Sequence, residues 1–117
     1  MKRGEIRWYE FSAPDKRRPV LLLTRDSVLP RLNEVTVAPV TSTIRGIPTE
    51  VALDIGDGMP QLCALNLDHL QTVPKRNLGR LITTLSAEKL QRVGLALCFA
   101  LGFDEYLKFF EDDLTST

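Results

Sequence analysis

Hydrophobic and polar positions alternate in short runs over the first two thirds of the chain, and these runs are rich in β-branched and aromatic residues. Such alternation is typical of β-strands. Segments rich in proline, glycine and aspartate, such as the turn "GDGMP", separate the runs. The predicted strands cover residues 5–11, 20–24, 34–40, 50–55 and 61–73, the last as one strand or as two strands bent near Asp68.

The spacing of apolar residues changes to that of a helix from Ser86 onwards. Ser86 is a good N-cap, and Gly102 is a natural stop. The buried face that the three-and-four spacing predicts consists of Leu90, Val93, Leu97 and Leu101. A second turn or two of helix can start at Asp104. Short strands followed by a helix predict a mainly β (α+β) fold, a small, strongly bent antiparallel barrel with the helix packed on it.

Length and composition indicate an ordinary single globular domain, since the chain has 117 residues of which 44% are hydrophobic and 26% charged. No stretch is long and apolar enough to span a membrane. The start "MKRGEIRWYEF" lacks the apolar core of a secretion signal. We therefore expect a cytoplasmic protein without a membrane partner.

The formal net charge is zero, but the charges are unevenly distributed. Residues 1–103 contain fourteen Lys or Arg and ten Asp or Glu, whereas the last fourteen residues contain one Lys and five acids. A mildly basic body is compatible with a polyanionic partner, although an excess of four charges does not establish one. Cys63 and Cys98 lie in apolar stretches and are predicted to be small buried hydrophobes. With a single histidine, the chain offers no pattern for a zinc site.

Three consecutive cations, Lys16, Arg17 and Arg18, precede Pro19 and the apolar strand 20–24. Two interpretations stay open. The cations form a solvated turn, or a guanidinium is held by the strand behind it and aimed at an anion such as phosphate. Likewise, Thr41 and Ser42 follow the strand 34–40, where such a pair either caps a turn or offers hydroxyl groups to a ligand.

Four stretches in order resemble the MazF/PemK family of toxin endoribonucleases: "KRGEIRWYEF", "RRPVLLLTRD", "VAPVTSTIRGIPTEV" and "LNLDHLQTVPKRNLGRL" with the helix that follows it. The resemblance covers residues 1–103 and implies an SH3-like barrel with a closing helix there. Residues 104–117 are then a short helical extension and an acidic tail. The family's activity implies a toxin that cuts single-stranded RNA such as mRNA at short sequences. It also implies a homodimer, no metal or other cofactor, and inhibition by a cognate antitoxin protein.

The resemblance also implies roles for individual residues. Metal-free cleavage uses the ribose 2′-OH as nucleophile and leaves a 2′,3′-cyclic phosphate and a 5′-OH. Arg18 is the expected stabiliser of the phosphoryl charge, and Thr41 the hydroxyl that binds the phosphate or orients the 2′-OH. Asp68 lies where some members of the family carry an acid/base aspartate. Beside an arginine it would be a poor acid at neutral pH, so it serves as a base or simply orients Arg18. The candidates for RNA contacts are Lys16, Arg17, Ser42, Arg45, Asn66 and His69.

The chain departs from the family pattern at a few positions. The loop before Arg18 is shorter than usual, Gln71 stands where the family often has arginine, and Asn66 stands where some members have a basic residue. These departures bear on the choice of RNA sequence and on the acid and base. Trp8, Tyr9 and Phe11 are the aromatic residues best suited to stack on bases, but two of the three are expected to belong to the core.

Two other functions are compatible with this fold. A CcdB-like toxin would poison a protein target such as DNA gyrase through its C-terminal end, for which "GFDEYLKFF" is the supporting feature. A non-catalytic SH3-like binding module would need neither the arginine nor the threonine.

Overall fold

The structure is a computed structural model that describes residues 1–11 and 17–107. Within these residues the chain forms seven β-strands and one long helix. The strands are β1 (Glu5–Glu10), β2 (Arg17–Leu22), β3 (Glu34–Thr41), β4 (Glu50–Leu53), β5 (Cys63–Asn66), β6 (Gln71–Pro74) and β7 (Leu78–Thr84). The helix is α1 (Ala87–Leu101), and single 3-10 turns lie at Leu29–Arg31, Ile55–Asp57 and Lys75–Asn77.

All strand pairs are antiparallel, in the order β4-β5-β3-β2-β1-β7, with β6 paired to β3. The long strand β3 organises the sheet because it pairs with β2 along one side. Along its other side it pairs with β6 over its first half and with β5 at its end. The predicted mainly β fold with a C-terminal helix is therefore confirmed.

The sheet is not closed into a barrel. Its order ends at β4 on one side and β7 on the other, and no ladder joins these two strands in the described part of the chain. Side chains bridge the gap instead. Thr83 Oγ1 of β7 donates a hydrogen bond to the carbonyl of Asp57 at 2.9 Å, and the carboxylate of Asp57 lies 3.4 Å from Lys89 Nζ of α1. The helix thus covers an opening that backbone hydrogen bonds would close in a complete barrel.

Strand β2 is buried on both faces, which explains its continuous apolar run. Neighbouring side chains of a strand point to opposite faces. Leu21 accordingly packs into one core cluster with Ile6 and Leu65, while Val20 and Leu22 pack into a second cluster with Val37. All six of these side chains are almost completely buried.

Two strands, β2 and β7, differ from the prediction for local reasons. Strand β2 begins at Arg17, so two of the cations and Pro19 lie within the strand. Proline fits there because β2 pairs with β3 only from Val20 onwards. At Pro19 that side of β2 is an unpaired edge, where the missing backbone N–H is tolerated. Strand β7 was not predicted, since it is a largely exposed edge strand with an irregular register and no clean alternation. The segment 61–73 forms two strands with a turn at Asp68, as one of the two alternatives had it.

Helix α1 begins and ends as predicted. Ser86 Oγ accepts a hydrogen bond from Lys89 N at 3.1 Å, and Gly102 has a φ of 76°, the left-handed conformation of a C-cap. The predicted buried face is correct except for Leu101, which is 56% exposed, whereas Ala96 is buried. Steps of four residues advance about 40° beyond a full turn, so two steps from Val93 rotate residue 101 off the buried stripe.

The predicted second helix starts as expected, with a helical turn over residues 104–107. The remainder of that segment and the acidic tail lie outside the described residues. In the part of the chain that the structure describes, no helix has both the length and the apolar character needed to cross a membrane.

Candidate active site

A groove opens where β2 and β3 part. Their ladder ends at the pair Val20 and Pro39, and β3 then continues beside β5, with Thr41 opposite Ala64. Extended by two residues, the β2–β3 register would place Arg18 directly opposite Thr41. Because the strands separate at this point, the space between them is a groove of about 340 Å³.

We call this space the arginine groove. The residues that line it come from the start of β2, the end of β3 and the loop before β5, together with one aromatic residue of β1. They are Trp8, Arg17, Arg18, Pro19, Val40, Thr41, Ser42, Thr43, Met59, Pro60, Gln61 and Cys63. The described lining thus holds two guanidinium groups and three hydroxyl groups and contains no carboxylate, which is the composition expected of an anion site.

Arg18 is anchored by its backbone and exposed at its side chain. It lies opposite Tyr9 across the β1–β2 ladder, and Tyr9 packs edge to face on Phe11 with ring centroids 4.8 Å apart. Both rings pack against the second core cluster, while the Arg18 side chain is exposed. The fold therefore presents the guanidinium from a backbone that is fixed on both sides of the residue.

Thr41 both forms a turn and lines the groove, so its position agrees with both interpretations of the sequence. Its Oγ1 accepts a hydrogen bond from Thr43 N at 3.1 Å, which forms a turn at the end of β3. The same residue lines the arginine groove and is half-buried. Because the turn uses a lone pair of the oxygen, the hydroxyl hydrogen remains available to donate to a phosphate oxygen.

Arg17 lies over the ring of Trp8, with its guanidinium carbon 4.5 Å from the ring centroid. This is the geometry of a cation–π contact. Trp8 is half-buried and lines the groove, whereas Tyr9 and Phe11 pack on the core. The expectation that two of the three aromatic residues belong to the core is confirmed.

Asn66, Asp68 and His69 form a separate cluster at the turn between β5 and β6. Asp68 N donates to Asn66 Oδ1 at 3.0 Å, and Asn66 Nδ2 lies 3.3 Å from His69 Nδ1. Thr49 Oγ1 donates to Asp68 Oδ2 at 2.6 Å. The turn begins after Asn66 at one end of β5, whereas Cys63 at the other end of β5 lines the groove. At 3.3 Å per residue, the two ends of β5 are about 10 Å apart.

The structure therefore does not bring Asp68, Asn66 or His69 to the arginine groove. Arg45 is not among the lining residues either. It lies in an exposed loop, where its backbone N–H donates to Glu50 Oε1 at 2.9 Å. Lys16 lies outside the described residues. Arg17, Arg18, Thr41 and Ser42 are thus the predicted site residues that share one surface.

Met59, Gln61 and Cys63 also line the groove but were not predicted as site residues. The turn "GDGMP" was correctly assigned, but its position relative to Thr41 depends on strand pairing. Strands β4 and β5 pair with Leu53 opposite Cys63, and β5 pairs with the end of β3. Their connecting loop is thereby brought to the same end of the sheet as Thr41, a relation that only the sheet order reveals.

Comparison with known proteins agrees with this arrangement. Residues 2–101 match the model of the family described as PemK-like, MazF-like toxin of type II toxin-antitoxin system. The chain belongs to this family. It is 47% identical over 90 residues to endoribonuclease MazF3 of Mycobacterium tuberculosis, an alignment that spans 77% of this chain and 85% of that protein.

Solved structures of MazF toxins also share the fold. The Mycobacterium tuberculosis toxin MazF-mt6 superposes with a TM-score of 0.77 at 41% identity, over 84% of this chain and 96% of that one. The toxin of a MazE–MazF complex from Deinococcus radiodurans superposes with a TM-score of 0.74 at 26% identity, over 87% and 96% of the two chains. The resemblance to the MazF/PemK family is thereby confirmed.

This MazF-family chain has two free cysteines, one of which lies in the wall of the groove. Cys63 is buried as predicted, but Cys98 is only half-buried. Burial, together with the nearby carboxylates of Asp57 and Asp54, raises the pKa of the Cys63 thiol. A raised pKa lowers the fraction of thiolate at neutral pH, and the thiolate is the reactive form.

We therefore expect a thiol-reactive dye to label Cys98 before Cys63 in the folded protein. A Cys98→Ser variant should react slowly at neutral pH and faster as the pH rises, because more of the Cys63 thiol is then ionised. Unfolding in denaturant should make both cysteines react alike. Equal labelling rates of the two cysteines in the native protein would contradict this assignment.

Proposed function

We propose that this protein cuts single-stranded RNA without a metal ion, with the ribose 2′-OH as nucleophile. Its family and its endoribonuclease relatives make it a toxin endoribonuclease of a toxin–antitoxin system. The observation that carries the mechanism is the meeting of Arg18 and Thr41 in one groove, at the point where β2 and β3 part.

In the proposed reaction the scissile phosphate lies in the arginine groove. The 2′-oxygen forms a bond to phosphorus while the bond from phosphorus to the 5′-oxygen breaks, which gives a 2′,3′-cyclic phosphate and a 5′-OH. The planar guanidinium of Arg18 binds two phosphoryl oxygens and stabilises their added negative charge. The Thr41 hydroxyl donates a further hydrogen bond to the phosphate.

Proton transfer in this mechanism runs through water. Among the described residues that line the groove there is neither a carboxylate nor a histidine, and the pKa of the Cys63 thiol is raised. Water therefore takes the proton of the 2′-OH and returns one to the leaving 5′-oxygen. The protein's contribution is the positioning of the RNA and the stabilisation of charge.

Neighbouring polar residues are proposed to hold the RNA backbone. Arg17 and Ser42 line the same groove and can contact the phosphates that flank the cut. Such contacts make affinity dependent on salt but carry little sequence information. Lys16 and Arg45 remain predicted phosphate contacts, placed by their charge alone.

A cognate antitoxin protein and a second copy of the chain are the proposed protein partners. The Deinococcus toxin was solved as a complex of MazE and MazF. In this chain Leu95 and Phe99 of α1 are 65% and 50% exposed and line a groove of about 470 Å³ against the edge strand β4. Exposed apolar surface beside an unpaired strand edge favours association with another chain. Because mRNA is the proposed substrate, we propose the cytoplasm as the site of action.

The two alternative functions are not favoured. The family match and the relatives named endoribonucleases support RNA cleavage. No observation on the described residues singles out a gyrase-binding end or a purely binding role.

Incubation of the purified protein with a long unstructured RNA in the presence of EDTA tests the proposal. We expect cuts at a short shared sequence, with cyclic phosphate on one side and 5′-OH on the other. A requirement for added Mg²⁺, or 5′-phosphate ends, would overturn the mechanism. Intact RNA together with inhibited supercoiling by DNA gyrase would favour the CcdB-like alternative.

The predicted catalytic role of Asp68 has its own test. Asp68→Asn keeps an oxygen that can accept the hydrogen bond from Thr49 but removes the charge and the capacity to transfer a proton. Because Asp68 does not line the groove, we expect this variant to cleave RNA at close to the normal rate. Asp68→Ala loses the Thr49 hydrogen bond and should lower the free energy of unfolding by about 1 kcal/mol. A loss of about 100-fold or more in kcat for Asp68→Asn would instead assign it acid–base catalysis.

A further inference from the structure

A second, smaller groove lies on the other side of the contact between Trp8 and Arg17. Both residues line this space as well as the arginine groove, so together they form the ridge between the two. The smaller groove has a volume of about 200 Å³, and we call it the flanking groove. Its lining comes from β1, β2, the 3-10 turn before β7 and β7 itself. The side chains available for recognition are Trp8, Glu10, Arg17, Asn77 and Arg80.

A β-bulge opens the flanking groove. Arg7 pairs with Leu81 and Tyr9 with Leu78, so Trp8 alone faces the two β7 residues Gly79 and Arg80. The backbone of Gly79 lies so close to Trp8 that an added Cβ would stand 3.2 Å from the Trp8 carbonyl oxygen. Arg7 Nη1 holds the bulge through a hydrogen bond to the carbonyl of Gly79 at 3.0 Å. Glycine thus permits a close approach of β7 to the Trp8 backbone that a side chain at this position would crowd.

The chemistry of the flanking groove differs from that of the arginine groove. Arg17 and Arg80 can neutralise phosphates, but Glu10 introduces a carboxylate that repels them. A carboxylate can accept a hydrogen bond from the exocyclic amino group of a base. Cytosine, adenine and guanine each carry such a group on the pairing edge, whereas uracil has none and presents carbonyl oxygens instead. An indole ring beside these groups provides a stacking surface for the same base.

We propose that the flanking groove binds one base next to the scissile phosphate, with Trp8 as the stacking surface and Glu10 as the acceptor for its amino group. This inference rests on the proposed function, since it assumes that the RNA strand crosses the Trp8–Arg17 ridge on leaving the arginine groove. It assigns to this site a preference for a base with an exocyclic amino group, such as cytosine or adenine, over uracil at one flanking position.

Trp8 is the single tryptophan of the chain, so its fluorescence reports on the ridge between the two grooves. The probe is a short 2′-O-methyl oligonucleotide that spans a cut site mapped on the long RNA, because the blocked 2′ position prevents cleavage. We expect saturable quenching of Trp8 emission on titration. An abasic residue at one flanking position should remove most of the quenching, while abasic residues elsewhere should not.

Substitutions of Trp8 then test whether its ring stacks on that base. Stacking of a base on an aromatic side chain contributes about 1–3 kcal/mol, so Trp8→Ala should raise KM by roughly tenfold and change kcat less. Trp8→Phe keeps an aromatic ring and should recover part of the affinity, which guards against a folding defect in Trp8→Ala. In the wild-type protein the abasic substitution should raise KM by a similar factor. In Trp8→Ala the same substitution should raise KM almost no further.

Glu10→Gln tests the choice of base. A good hydrogen-bonded contact to a base edge is worth about 1–3 kcal/mol of discrimination, so the wild-type protein should prefer cytosine or adenine over uracil about tenfold at this position. The amide of Gln can also donate to a uracil oxygen, and the preference should largely disappear. Glu34→Gln is the matched control, because Glu34 is exposed at the start of β3 and lines neither groove. It should leave the preference unchanged.

The outcomes separate this inference from the proposed function. Normal cleavage in EDTA with no quenching of Trp8, or with an unaltered base preference in Glu10→Gln, would overturn the inference and leave the nuclease intact. Base-dependent quenching in a protein that cuts no RNA would overturn the nuclease and keep a base-binding site. Quenching by every oligonucleotide regardless of the flanking base would also overturn the inference.

Discussion

Replacement of Arg18 by alanine should reduce the rate of RNA cleavage by about two to three orders of magnitude while leaving the fold intact. A preorganised donor aimed at the charge that develops in the transition state is worth about 3 kcal/mol. The Arg18 side chain is exposed, and its backbone is held by the pairing with Tyr9. Truncation therefore removes the guanidinium without opening a cavity in the core. The loss should appear mainly in kcat, measured on a short RNA that carries a mapped cut site.

Two further substitutions sharpen the assignment of Arg18. Arg18→Lys keeps the positive charge but loses the planar fork that binds two oxygens, so it should recover only a small part of the activity. Arg31→Ala removes an exposed arginine from the 3-10 turn after β2, which does not border the arginine groove. It should cut RNA normally. Near-normal cleavage by Arg18→Ala, with unfolding curves unchanged in all three variants, would exclude Arg18 as the charge stabiliser.

The second large effect is expected at Thr41. Thr41→Val has nearly the same shape but lacks the hydroxyl, so it loses both the hydrogen bond to Thr43 N and the donor for the phosphate. A hydrogen bond to a charged group contributes about 1.5–3 kcal/mol, which predicts a decrease in kcat of roughly 10- to 100-fold. Thr41→Ser keeps the hydroxyl and should retain most of the activity.

The turn at Thr41 and its contact with RNA can be distinguished. If the hydroxyl only forms the turn, Thr41→Val should lower the free energy of unfolding and leave kcat unchanged at temperatures where the protein is folded. If it binds phosphate, kcat should fall even where the variant is fully folded. Ser42→Ala removes the neighbouring exposed hydroxyl and serves as the matched control. We expect this control to weaken RNA binding slightly and to leave kcat near normal.

The strands and the helix could be predicted where the pattern of residues reflects local burial. Alternation indicated β1 and β3, the apolar run indicated β2, and Ser86 and Gly102 marked the ends of α1 within one residue. Strand β7 escaped prediction because most of its side chains are exposed and its register with β1 is irregular. The gap between β4 and β7 could not be predicted either, since it depends on contacts of Asp57 with Thr83 and Lys89, residues distant in sequence.

The residues of the candidate site could likewise be predicted only in part. Arg18 and Thr41 were proposed from their positions beside strand ends and from the family resemblance, and the sheet brings them to one groove. Asp68 follows a strand as well, but it follows the opposite end of β5, a distinction that needs the pairing of β5 with β3. Glu10 and Gly79 have no sequence signal of their own. Their importance depends on a bulge, which appears only when the register of two strands is known.

The alternation of side chains along β2 has a consequence for how this toxin can diverge. Arg17 and Arg18 line the arginine groove, while Val20 and Leu21 behind them pack into the two core clusters on opposite faces of the strand. A residue inserted or deleted in the segment between β1 and β2 leaves this order untouched, so the strands permit a change of length at that point. A residue inserted between Pro19 and Val20 would shift the alternation by one position. Either both arginines would then change faces relative to the core residues, or Val20 and Leu21 would each face the wrong core cluster. Natural relatives should therefore differ in length before β2 and keep the spacing from Arg18 to the apolar run.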